Sequence, residues 1–151
     1  MKTKIIAAFP GTGKSYLAAN LSQDGRVIDL DTNDYTKGYD ENGKAINLRF
    51  PNNYIDSIKE IIGQTDLLLI GCQPEILNIL REEGITTILV YPDRKLKEEY
   101  IGRFNERGDS QAFSNLIYDN WDQFLDYLEA QDSERFILEQ GQYITDVIEA
   151  K

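Results

Sequence analysis

Apolar and polar positions along the chain follow two alternating periods. Short continuous apolar runs are separated by stretches in which apolar residues recur every three or four positions, the pattern of strands interleaved with helices. Ile5 to Phe9 reads as a first strand, Val27 to Leu30 as a second, Asp66 to Ile70 as a third, Thr87 to Tyr91 as a fourth and Phe136 to Leu138 as a short fifth. A helix is expected after Gly13, carrying Tyr16, Leu17, Ala18 and Leu21 until Asp24-Gly25 ends it; another spans Tyr54 to Ile62. Pro74 opens a third, at a position whose amide would have no helical partner anyway, and Gly84 closes it. Leu96, Tyr100, Ile101 and Phe104 mark a charged amphipathic helix ending near Gly108. Phe113, Leu116, Ile117, Trp121, Phe124, Leu125 and Leu128 mark one more helix, and Tyr143 to Ile148 a closing one. This order predicts the α/β class, a parallel sheet with helices on both faces. The periodicity fades only from Asp31 to Asn53, a stretch holding Gly38, Gly43 and Pro51. A loop of that length in a compact domain is usually functional, so it is expected to cover a site.

With 151 residues the chain is the size of one domain, 1–151, and it shows no internal repeat. It contains no histidine, which excludes Ser-His-Asp and Cys-His nucleophile pairs, helical His zinc sites and imidazole acid–base catalysis. Proton transfer is left to carboxylates, lysine or water. Cys72 is the single cysteine, so neither an intrachain disulfide nor a thiolate zinc cluster can form, and a small buried apolar role is expected for it. A net charge of −10 repels nucleic acid backbones and anionic membranes, and argues against nucleic acid as the main partner. No apolar run approaches the roughly 20 residues of a membrane span. Positive charge at Lys2 and Lys4 precedes an apolar stretch that ends at Phe9, too short for a signal sequence. The expectation is a soluble cytoplasmic protein, monomeric or homodimeric, with no membrane partner.

The sharpest local signal lies where the first strand meets the first helix. Ala8-Phe9-Pro10-Gly11-Thr12-Gly13-Lys14-Ser15 fits the phosphate-binding loop (Walker A) at every fixed place but the first, where alanine stands for glycine. Successive amides of such a loop point inward and meet a helix N-terminus, a ready anion site. Pro10, Gly11, Thr12, Gly13, Lys14, Ser15 and Tyr16 are therefore the expected ATP contacts, with Lys14 reaching the β and γ oxygens and the Ser15 hydroxyl on Mg²⁺. The substitution at Ala8 removes no amide donor.

Asp29 and Asp31 flank Leu30 at the end of the second strand, and alternate strand residues project to the same face. Ligands of open α/β sheets bind beyond the carboxyl ends of the strands, where both the loop and this pair would sit. One carboxylate can support Mg²⁺ while the other takes a proton from an acceptor hydroxyl. By contrast, the third strand runs into Gly71-Cys72-Gln73 and offers no metal-positioning acid.

Through Gly11 to Ser15 and Asp29-Leu30-Asp31 the chain resembles the small P-loop kinases, the nucleoside monophosphate, shikimate and gluconate kinase group. The resemblance implies a three-layer, five-stranded parallel sheet in the order 2-3-1-4-5, with Mg²⁺ and ATP as donor. It also implies a substrate cap around 32–53 and an arginine-bearing lid around 103–112. Arg103 and Arg107, four apart on one helix face, stand where the lid arginines are expected. Arg49 in the cap, Asp31 and Gln73 are the candidate substrate contacts, and Tyr35, Tyr39 and Phe50 candidate stacking groups.

The function expected from these residues is phosphotransfer from ATP to a small-molecule acceptor, with a nucleotide or nucleoside favoured over a sugar acid. Lys14, Arg103 and Arg107 would neutralise the transferring group, Ser15 and Asp29 would hold the metal, and Asp31 would orient or deprotonate the acceptor. Two rivals stand beside it. One is a nucleotide-binding regulator or slow NTPase whose long loop is toggled by hydrolysis. The other is a kinase of a nucleic acid end or modified base, against which stand the nine acids and two basic residues from Asp119 to Lys151.

Overall fold

A computed structural model describes residues 3–21, 27–31 and 49–147, the side chains of 15 and 19–21 excepted. Five parallel strands form one sheet: β1 (Lys4–Ala8), β2 (Val27–Asp29), β3 (Leu67–Gly71), β4 (Ile88–Pro92) and β5 (Arg135–Leu138). Their order is β2-β3-β1-β4-β5, as expected. β1 is central, with Ala8 opposite Gly71 on one side and Val90 on the other.

Strand residues alternate between two cores. Ile5, Ala7 and Phe9 point to the same side as Leu68, Ile70, Leu89 and Tyr91. Against them pack α2 (Asn52–Ile61), α3 (Pro74–Glu82), α4 (Lys97–Arg107), α5 (Gln111–Asp119) and α6 (Trp121–Glu129). Ile6, Ala8, Leu67, Leu69, Val90 and Leu138 face the other way, onto Leu17 of α1 (Lys14–Leu21) and Ile144 of α7 (Ile144–Val147). Because both faces are covered, the strands read as continuous apolar runs. No helix among the described residues is long and apolar enough to cross a membrane.

Two boundaries differ from the periodicity. The helix expected through Phe113 and Leu128 breaks in two at Asn120, whose backbone lies at φ −114° and ψ 14°. Its side-chain amide donates to the Leu116 carbonyl at 2.9 Å, beside its own backbone amide at 3.2 Å. A side chain competing for the i−4 carbonyl is the usual reason asparagine ends a helical run. The second change is a short 3₁₀ turn, Arg94–Leu96, ahead of α4. The Asp93 carboxylate accepts the Lys95 amide there at 3.0 Å.

α4 stops where expected. Gly108 takes φ 84°, its amide bonds Asn105 O and the Asp109 amide returns to Phe104 O, a left-handed cap that closes the last turn. Ser110 then caps α5, its hydroxyl accepting the Phe113 amide at 3.1 Å. The segment expected as a lid, 103–112, is thus the end of α4, this turn and the start of α5.

Candidate functional site

The carboxyl edge of the sheet gathers three chain segments. The loop from Phe9 to Gly13 leaves β1, Leu30 and Asp31 leave β2, and Cys72 and Gln73 leave β3. The adjoining strands remain paired to their ends: the Phe9 amide donates to Val90 O and the Leu30 amide to Leu69 O, both at 2.9 Å. A cleft of about 1380 Å³ opens on this edge.

Glycine is required twice in the loop. Gly11 and Gly13 take φ 83° and 95°, a region that costs an L residue roughly 1–2 kcal/mol. A Cβ on Gly11 would come within 3.0 Å of the Phe104 ring, and one on Gly13 within 3.2 Å of the Tyr143 ring. Thr12 between them is fully buried, its hydroxyl donating to Phe9 O at 2.8 Å while its carbonyl accepts the Ile144 amide at 2.8 Å. Its side chain therefore shapes the loop from within. Phe9 anchors the loop below, edge-on to Trp121 at 5.5 Å and to Tyr100 at 6.2 Å between ring centres. Each such pair contributes about 0.5–1.5 kcal/mol beyond its buried area.

Pro10, Gly11, Gly13, Lys14 and Tyr16 line the cleft with Asp29 and Asp31. Leu30 turns into the core, so the two acids share the opposite side, as the alternation predicts. Asp29 is half-buried and Asp31 exposed. Ser15 lies in the first turn of α1, but its side chain is outside the described residues, as are residues 32–48 with Tyr35 and Tyr39. Gln73 lines the cleft beside Cys72. Arg49 and Phe50 do not: Arg49 is exposed, and Phe50 packs on Tyr54 at 6.1 Å.

The two arginines of α4 both line the cleft but are placed very differently. Arg103 donates through Nη1 to Gly11 O at 2.8 Å, and through Nη2 to Glu99 Oε2 at 2.8 Å and Gln142 O at 3.0 Å. Its guanidinium lies between the rings of Tyr100 and Tyr143, 4.4 and 4.0 Å from their centres. The other end of this tie is Glu99, which also accepts the Gly141 amide at 3.1 Å. With 11% of its side chain exposed, Arg103 holds the Gly11–Gly13 loop to the turn after β5. Arg107 is half-exposed at the cleft mouth and paired with Asp109.

Three contributors depend on contacts between segments distant in the chain. Tyr143 covers Gly13, and the Glu99–Arg103 tie joins residues up to 92 positions apart. Tyr54, fully buried on α2, donates to Leu30 O at 2.5 Å and accepts the Gly71 amide at 3.3 Å, fixing the spacing of the β2 and β3 ends. Burial also pushes two groups up. The Cys72 thiol rises to about 11 despite the opposing Lys14 ammonium, and the Tyr100 phenol to about 12 despite Arg103.

No sequence family matches the chain, and no curated protein does. Among solved structures, its fold is similar to that of a gluconokinase from Sinorhizobium meliloti 1021, with a TM-score of 0.52 and 13% identity, covering 97% of this chain and 86% of that one. At such identity the likeness speaks for architecture alone. Together with the strand order, it shows that the chain has the α/β fold of the P-loop kinases.

Proposed function

We propose that this chain is a phosphotransferase that uses Mg²⁺ and ATP to phosphorylate a hydroxyl of a small molecule, a nucleoside or nucleotide being the favoured acceptor class. The observation that carries the reading is the meeting, in one cleft, of the left-handed Gly11–Gly13 loop, Lys14 and the Asp29/Asp31 pair. The site's chemistry suits the donor. Two glycines with positive φ, packed closely under Phe104 and Tyr143, set the loop backbone in the turn that can cradle a phosphate chain, and hard carboxylate oxygens suit Mg²⁺. Asp29 and Ser15 would hold the metal, which supplies positive charge against the phosphate oxygens.

The remaining roles belong to the chain's own side chains. Lys14 binds the terminal phosphates, and Tyr16 and Tyr143 border the nucleotide end of the cleft. Asp31, exposed at the edge of β2, orients the acceptor hydroxyl and takes its proton. Arg107, at the mouth, faces the charge that develops on the transferring group. Arg103 acts one step back, keeping Gly11 and the loop amides in place. Gln73, which lines the cleft, remains a candidate acceptor contact, whereas Arg49 lies outside the lining and is given no role.

The test is ADP release from ATP and Mg²⁺ across nucleosides, nucleoside monophosphates, sugar acids and DNA ends, with Lys14→Ala as control. Stimulation by one acceptor class, reduced by about 10²-fold or more in the variant, is expected. Turnover that ignores every acceptor would replace transfer by a hydrolytic switch.

A further inference from the structure

The volume of the cleft leaves space for more than one ligand. Single-ligand pockets run to roughly 300–1,000 Å³, against about 1380 Å³ here. Besides the Gly11–Gly13 loop and Lys14, the cleft is lined by Cys72 and Gln73 after β3, Phe113 and Leu116 of α5 and Phe124 and Tyr127 of α6, which make an apolar lobe of it. Leu116 is 53% exposed, a large apolar side chain left in water at a cleft wall. The Tyr127 hydroxyl is held by Asn78 Oδ1 at 2.6 Å, so its ring and not its polar tip borders the lobe's apolar wall.

Charge separates the two ends. The cations lining the cleft, among the described residues, are Lys14, Arg103 and Arg107. Arg103 is tied to the Gly11–Gly13 loop, and Arg107, on the proposed reading, serves the transferring group and not the acceptor. The walls of the lobe itself, from α5 and α6, carry no cation among the residues that line it. An acceptor carboxylate or phosphate seated there would lose its hydration without a paired cation, a cost of several kcal/mol.

Resting on the phosphotransferase reading, we propose that the lobe binds a neutral alcohol with a flat ring, the nucleoside class, and discriminates against nucleoside monophosphates and sugar acids. The ring faces pack on Phe113, Leu116, Phe124 and Tyr127, Gln73 offers an amide to the ring edge, and the hydroxyl is left towards Asp31.

Binding decides this separately from turnover. Calorimetric titration of the full chain with each of the four 2′-deoxynucleosides, their 5′-monophosphates and gluconate should show at least one deoxynucleoside binding ten times or more tighter than its own monophosphate and than gluconate. Leu116→Arg, at an exposed position and checked for folding by thermal melting, should weaken that deoxynucleoside and narrow its lead over the monophosphate at least tenfold. Tighter binding of a monophosphate or of gluconate by the wild type, no detectable binding of any deoxynucleoside, or indifference of the preference to Leu116→Arg would each overturn the proposal. The phosphotransferase reading is judged apart from these outcomes, by acceptor-dependent ADP release: a monophosphate that stimulates release leaves the kinase standing and removes the lobe assignment.

Discussion

The two ends of the cleft are built by different means. At the Gly11–Gly13 loop the groups proposed to recognise phosphate are backbone amides, and their directions are fixed by neighbours: Thr12 bonded within the loop, Phe9 in an aromatic cluster, and Arg103 gripping Gly11 O between two tyrosines. At the far lobe the surface is side chains on α5 and α6, with few polar groups and an exposed leucine. A backbone site demands rigidity, because each amide must be aimed, whereas an apolar lobe demands shape and tolerates adjustment. Changes at the first end should therefore be read out in stability and nucleotide binding together, and at the second in acceptor preference alone.

The sharpest way to break this contrast is to separate the two arginines of α4. Arg107→Ala should lower turnover by about 10²-fold, as expected for one donor to developing charge, while its exposed pair with Asp109 contributes only about 0–1 kcal/mol to stability. Arg103→Ala should do the reverse. It removes charge-assisted bonds to Gly11 O and Gln142 O and leaves Glu99 without its partner, about 2–3 kcal/mol of stability, with nucleotide affinity falling alongside. Urea unfolding and ATP titration on both variants check this. If Arg103→Ala leaves stability intact and abolishes only turnover, Arg103 belongs with the reacting phosphate and the tie is incidental.

Gly13→Ala is the next largest. The left-handed φ costs about 1–2 kcal/mol and the new methyl presses on Tyr143, so ATP affinity should fall roughly 5–30-fold. Tyr143→Ala on that background should relieve the crowding but not the backbone strain, giving partial recovery in the same titration. Full recovery would mean that the loop is less constrained than its dihedral angles imply.

These two predictions also mark what the chain shows before it folds. The phosphate loop and the Asp29/Asp31 pair are legible because each is local: the loop is one contiguous motif, and the acids follow from the two-residue period of a strand. The parallel sheet, too, follows from the alternating elements, whereas its order 2-3-1-4-5 comes only from the resemblance to the small P-loop kinases. The Arg103 tie, Tyr143 over Gly13 and Tyr54 between β2 and β3 are side chains that meet only because the sheet edge brings distant segments together, so no spacing announces them. The break at Asn120 is hidden for another reason: the apolar period runs through it unbroken, and a single side-chain amide decides the geometry. Arg103 illustrates the limit best, since a four-residue spacing from Arg107 placed both on one helix face but could not say that one would be buried and the other left half in water.

Tyr54→Phe tests the join between the ends. Loss of the hydroxyl strands the buried Leu30 carbonyl and weakens the hold on the Gly71 amide, about 1–3 kcal/mol by urea unfolding. Because Leu30 precedes Asp31 and Gly71 precedes Cys72, kcat should fall severalfold with the KM for ATP little changed. A rise in that KM with kcat preserved would show that Tyr54 serves the loop instead.

The smallest effect concerns Cys72, the lobe's floor beside Lys14. Burial disfavours the thiolate and outweighs the lysine, so the thiol titrates near 11 in place of 9.0. Below pH 9 it is protonated whether the chain is folded or not, and makes no pH-dependent contribution. Between 9 and 11 the unfolded chain releases a proton that the folded chain keeps, so this group's contribution to stability is lost as pH rises through that window. Iodoacetamide, which reacts with the thiolate, should modify the native protein slowly at pH 8 and accelerate towards pH 11, while urea-unfolded protein reacts with a midpoint near 9. A nucleoside that fills the lobe should slow native alkylation further, and ATP alone should do so less, since the loop it occupies lies at the other end. Equal protection by ATP alone would mean that the two ends share one space, and that the contrast between a rigid donor site and an adjustable acceptor lobe is drawn in the wrong place.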